Sequence, residues 1–225
     1  MRRDLAHAVT ELCDRDRVVA DLVERHGPCS LPAPRPARGR FAALTRSICG
    51  QQVAGAAARA IHGRFVDLLG GDVVPEAVLA LDDADLRSVG LSGSKAASII
   101  DLARRVENGA VRLERIGRLD DDEVVEELTV VRGIGPWTAQ MFLMFELGRL
   151  DVWPTGDFGV RKGFGRAWRN GEETPSAADL EPLGDAYRPF RSVTAWYCWR
   201  AAGDATAAPV RSTRSTRSTR STRSR

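Results

Sequence analysis

The segment LTVVRGIGPWTAQMFLMF, residues 128–145, limits the fold more than any other part of the chain. An apolar helix end runs into Gly133-Ile134-Gly135, and Pro136 then opens a second apolar helix whose next residue is Trp137. Glycine permits a tight backbone and close approach of a partner, and proline at the first helical position sacrifices no hydrogen bond. The segment therefore reads as helix, tight turn, helix, with the first backbone N–H groups of the second helix facing outward. Orphan donors and a positive dipole end together favour an anion such as a phosphate. Many helix–helix turns use glycine for structural reasons alone, so both roles stay open on this segment by itself.

The rest of the chain extends the helical pattern. DLAHAVTELCDRDRVVADLVERHG (4–27) carries Leu5, Val9, Leu12, Val19, Leu22 and Val23 at helical spacing and predicts one helix that stops at Gly27-Pro28. A Pro/Arg-rich linker follows over 28–40. Further helices are predicted over about 41–50, 54–69, 94–107, 120–128, 137–148, 157–168 and 188–201. Asp82, Ser94 and Asp120 are the expected caps, and GAVRLERI (109–116) is the one strand candidate. With 225 residues, 43% of them hydrophobic, the chain can bury its core as one large domain or two small lobes. The fold class is all-α.

A net charge of +3 suggests a nucleic-acid partner, but its source is local. RSTRSTRSTRSTRSR at 211–225 holds six arginines and no acid, leaving 27 of the 33 basic residues against 30 acidic ones over residues 1–210. A basic surface must then be confined to a stretch such as FGVRKGFGRAWR (158–169), which fits a solvated helix face equally well. The repeat at 206–225 cannot build a core and is expected to be a disordered basic tail after a folded domain at 1–205. Cys13, Cys29, Cys49 and Cys198 are too scattered for a zinc or iron–sulfur site and read as reduced thiols. No apolar run reaches the roughly 18 residues of a membrane span, and no secretory segment follows Met1, so a cytoplasmic protein is expected.

Four segments together resemble one family. Leu128–Ala139 resembles the helix-hairpin-helix of the DNA glycosylase superfamily, and DVWPTGDFGVRKG (151–163) resembles its Gly/Pro-rich loop ending in an aspartate. Asp157 stands 20 residues after Trp137, which matches the superfamily's spacing. RSICGQQVAGAAARAI (46–61) and YRPFRSVTAWYCWR (187–200) resemble the wedge-bearing helix-loop-helix and the closing helix of the branch that excises alkylated bases, the DNA-3-methyladenine glycosylase II type. The resemblance spans roughly residues 15–201 and does not include the N-terminal β-lobe of longer members.

The resemblance implies a two-lobed helical bundle that works as a monomer, binds double-stranded DNA containing alkylated bases and removes the base by hydrolysis. Asp157 would be catalytic, since breaking an N-glycosidic bond builds positive charge on the sugar and a carboxylate beside C1′ stabilises it. Trp137 occupies the place where strand-cleaving relatives carry the lysine that forms a Schiff base, and offers a π face to a flipped, cationic base instead. Phe190 and Trp153 would complete the base pocket, and Gln52 would plug the duplex. Gly133, Gly135 and Thr138 would give backbone amides to a phosphate, with Arg161 and Lys162 beside them. The family's monovalent cation, Na+ or K+, would sit on the carbonyls of Thr129, Val131 and Ile134; no other cofactor is implied. Simpler roles fit the same residues: a helix cap for Asp157, core packing for Trp137, a capping glutamine at 52. Two other functions are compatible with the motifs, a non-catalytic helix-hairpin-helix DNA-binding module and a glycosylase for another damaged base.

Overall fold

The computed structural model describes residues 3–169, 171 and 173–204; the tail assigned to 206–225 lies outside the described residues. Twelve α-helices are present among them: α1 Arg3–Arg15, α2 Arg17–His26, α3 Arg40–Gly50, α4 Gly55–Leu68, α5 Pro75–Leu79, α6 Asp83–Ser88, α7 Gly93–Glu107, α8 Asp121–Thr129, α9 Pro136–Phe145, α10 Phe158–Trp168, α11 Ala177–Leu180 and α12 Arg191–Gly203. They pack in two groups, one of α3 to α9 and one in which α12 lies among α1, α2 and α10. No strand occurs among the described residues. The 109–116 stretch is irregular chain leading into a 3-10 turn at Ile116–Arg118, with Val111, Leu113 and Ile116 buried by loop packing rather than by alternation on a sheet.

The helix predicted over 4–27 is two helices. Asp16 breaks it, adopting an extended backbone and accepting the Val18 N–H at 2.7 Å as the cap of α2. Its other oxygen accepts the Trp168 indole N–H at 2.8 Å and the Tyr187 hydroxyl at 2.9 Å, so the break ties α2 to the far end of the chain. Periodicity could not show this, because both halves keep their apolar faces in register. Asp82 and Asp120 close capping boxes as expected, whereas α7 is capped by Ser92 instead of Ser94. The Ser94 carbonyl accepts the Ser98 hydroxyl inside that helix.

Two glycines on one face of α10 fix how α12 lies. A Cβ at Gly163 would land on the Cys198 carbonyl, and one at Gly159 would come within 2.8 Å of the Trp199 ring. Residues 159 and 163 are one turn apart, so they form a groove that only hydrogen can line. Arg166, from the same helix, donates to the carbonyls of Ala202 and Asp204 at 2.7 and 2.6 Å and so caps the C-terminus of α12. At the other end, Ser192 and Arg191 hold the segment before the Gly/Pro loop: the Val152 N–H donates to Ser192 Oγ at 2.9 Å, and Arg191 Nε donates to Asp151 at 2.8 Å. Gly163→Ala should lower unfolding free energy by about 3 kcal/mol, since the two helices cannot part without removing the Arg166 cap from α12. Urea denaturation of the purified variant measures it.

Candidate active site

The hairpin between α8 and α9 is built from below. Val131 and Ile134 are buried, the Ile134 N–H donates to the Val131 carbonyl at 3.1 Å, and Gly133 turns the chain at φ +76°. A Cβ at Gly133 would meet Ser98 Oγ of α7 at 2.5 Å, so glycine is required by both conformation and space. Asp101, also on α7, accepts the Arg132 N–H at 2.8 Å and the Arg105 Nε–H at 2.9 Å. Burial alone would raise the Asp101 carboxyl pKa, but these two donors hold it below the usual carboxylate range. Gly135 caps α9 and Pro136 occupies its first turn. The backbone N–H groups of Trp137 and Thr138 therefore stand in the turn that has no intrahelical acceptors.

Asp157 is the cap of α10, its Oδ1 accepting the Val160 N–H at 2.9 Å. The same oxygen accepts the Trp199 indole N–H at 2.9 Å, and Oδ2 accepts the Trp137 indole N–H at 2.7 Å. The capping role and the proximity to the hairpin thus coexist. Three N–H groups thus converge on one half-buried carboxylate and fix its direction.

Trp137 is 44% exposed, so it is not a core residue. It forms one wall of a cleft of about 770 Å³ that continues along Met141 and Phe145 and opens at Gln51 and Gln52. Phe145 stacks on Trp199 with centroids 5.9 Å apart and planes inclined by 27°, so the cleft wall at Phe145 is backed by the second indole that reaches Asp157. Gln52 sits exposed at the cleft mouth with φ +55°, a left-handed conformation costing a non-glycine residue about 1 kcal/mol. It does not cap the following helix: the N-cap position of α4 is Ala54, with no side-chain cap.

Two expected pocket walls lie elsewhere. Trp153 is buried, donates its indole N–H to the Leu180 carbonyl at 3.0 Å and packs on Phe164 and Tyr187. Phe190 precedes α12 and meets His7 edge to face at 5.9 Å. It is nine residues from Trp199, or about 13 Å along the helix, and is not among the residues lining the cleft. Trp199 is the closing-helix aromatic that reaches Asp157. The signal for it was Gly159, two residues after Asp157, where a Cβ would come within 2.8 Å of the Trp199 ring. The basic stretch is largely used internally as well. Arg161 donates to the Pro175 carbonyl at 3.3 Å, Arg166 caps α12, and Arg169 pairs with Glu173 at 3.7 Å, leaving Lys162 half-buried without a place on the cleft wall. All four cysteines are unpaired, and burial, reinforced by Asp157, pushes the Cys198 thiol far above its ordinary pKa.

Comparison with known proteins agrees with this geometry. Residues 45–182 match the model of the HhH-GPD superfamily of base excision DNA repair proteins. The chain is 33% identical over 162 residues to DNA-3-methyladenine glycosylase 1 of Schizosaccharomyces pombe, covering 71% of each chain. Among solved structures, it is similar to a DNA-3-methyladenine glycosidase from Bacillus halodurans, with a TM-score of 0.78 and 36% identity over 87% of this chain and 89% of that one. A 3-methyladenine DNA glycosylase of Schizosaccharomyces pombe in complex with abasic DNA gives a TM-score of 0.78 at 30% identity, covering 86% and 95%. No described helix is long and apolar enough to cross a membrane.

The hairpin geometry makes a quantitative expectation. Gly133→Ala should cost about 2 kcal/mol in urea unfolding, and adding Ser98→Ala should recover only the steric part, leaving about 1 kcal/mol of left-handed backbone strain.

Proposed function

Because the chain belongs to the HhH-GPD superfamily of base excision DNA repair proteins, we propose that it is a monofunctional DNA N-glycosylase that flips alkylated purines out of double-stranded DNA and hydrolyses their N-glycosidic bond. The observation that carries the reading is the Asp157 carboxylate, clamped between two indole N–H groups, one of them from Trp137 on the wall of an aromatic cleft. The names of the relatives, DNA-3-methyladenine glycosylases, supply the substrate class.

The chemistry runs through this chain's residues as follows. A purine alkylated at a ring nitrogen is a cation, and the electron-rich face of Trp137 attracts it. The alkylated base is already a good leaving group, so the enzyme's main task is to stabilise the sugar as the bond to C1′ breaks. Asp157, directed by Trp137, Trp199 and the start of α10, places its carboxylate where positive charge develops. Water adds to C1′, with the carboxylate accepting its proton or orienting it, and the products are free base and an abasic site. The N–H groups at the start of α9, with Gly133 and Gly135 keeping the backbone bare, suit a phosphate flanking the flipped nucleotide. Carbonyl oxygens of Thr129, Val131 and Ile134 are hard neutral donors suited to Na+ or K+; the Val131 carbonyl already accepts one hydrogen bond and keeps a second lone pair. A cation bound there would add positive charge beside the same phosphate. Gln52 would occupy the gap left by the flipped base.

The chain has two lysines, Lys95 and Lys162, and Lys95 Nζ donates to the Cys49 carbonyl at 2.8 Å. An enzyme amine attacking C1′ is therefore not expected, and borohydride present during turnover should trap no protein–DNA adduct. Asp157→Asn should bind a lesion duplex as wild type does, while single-turnover excision falls by about 10² to 10³-fold, the usual effect of removing one preorganised charge. Equal excision by the two proteins would exclude the assignment.

A further inference from the structure

The turn that carries Gln52 is tied to the hairpin by its neighbour. Gln51 Nε2 donates to the Gly133 carbonyl at 2.8 Å, joining the turn between α3 and α4 to the hairpin turn 82 residues later. On the other side of Gln51, Lys95 Nζ from α7 donates to the Cys49 carbonyl at 2.8 Å, which closes the C-terminus of α3. Gly133 is itself seated on Ser98 of α7, and Ser98 is held by the Ser94 carbonyl. The turn bearing Gln52, the hairpin and α7 are thus one hydrogen-bonded unit, in which the Gln51 side chain links the first directly to the second.

We propose that Gln51 is a positioning residue for excision: its amide sets the distance between the duplex plug at Gln52 and the phosphate-gripping hairpin. The inference rests on the proposed excision activity. A plug works only if it enters the stack at the step whose phosphate the hairpin holds, so the two must keep a fixed separation while DNA is bent around them. Gln52 cannot secure that itself, because its left-handed backbone is strained and its side chain is exposed. Gln51 is the residue before it, and the carbonyl it holds belongs to the glycine at the apex of the hairpin. Its polar hydrogens supply the link, and a side chain of the same length without them does not.

The test compares two duplexes with the same 7-methylguanine, one opposite cytosine and one opposite a tetrahydrofuran abasic analogue, which leaves no orphaned base to hold apart. Gln51→Leu and the nearly isosteric Gln51→Glu should both slow single-turnover excision opposite cytosine by about fivefold, as expected for one lost hydrogen bond, with little change opposite the abasic analogue. In a Gln52→Gly background, Gln51→Leu should add no further loss, because the position being set is no longer used. Equal slowing on both duplexes, or no slowing on either, would overturn the proposal, as would full additivity of the two substitutions. Wild-type protein that releases 7-methylguanine from neither duplex would instead count against the excision reading on which it rests.

Discussion

Asp157 receives N–H groups from three separate parts of the chain: Trp137 at the start of α9, Trp199 near the end of α12, and Val160 in its own helix. Each donor depends on a different piece of architecture. Trp137 is aimed by the hairpin, Trp199 by the crossing of α10 and α12, and Val160 by the start of α10. A carboxylate with three donors is held in one orientation by its neighbours. The helices can be understood as the means of bringing those three N–H groups to one point.

Glycine makes the convergence possible. At Gly159 and Gly163 it lets α12 lie against α10 closely enough for the Trp199 indole to reach Asp157, and at Gly133 it lets the hairpin turn sit on Ser98. In both places a methyl group would move an indole or a backbone amide away from the site, because well-packed interiors do not absorb such changes locally. The hydrogen bonds of Asp101 and Gln51 extend the same logic outward, fixing the hairpin to α7 and the Gln52 turn to the hairpin.

Much of this was legible in the sequence wherever the deciding interaction is local. The helix-turn-helix at 128–145 declares itself through Gly-Ile-Gly-Pro, and the caps at Asp82, Asp120 and Asp157 follow from residue type and position. The break at Asp16 was hidden, since its cause is a pair of long-range bonds from Trp168 and Tyr187. The aromatic walls were misplaced for a related reason. Trp153, Phe190 and Trp199 are all aromatic residues in plausible segments; the rotation of α12 turns Trp199 to Asp157, Phe190 at its start meets His7, and Trp153 packs on Phe164 and Tyr187. Charge was likewise misleading at 158–169, where Arg161 and Arg166 serve backbone carbonyls inside the fold.

The central claim is that Asp157 presents negative charge to a sugar that becomes positive in the transition state. Its most direct test is the equilibrium affinity for a duplex carrying a cationic pyrrolidine in place of the target sugar, relative to the same duplex with a neutral tetrahydrofuran. The account predicts that wild type favours the cation by at least about 10²-fold and that Asp157→Asn abolishes the preference. Equal affinity of wild type for the two duplexes, or a preference that survives the substitution, would contradict it.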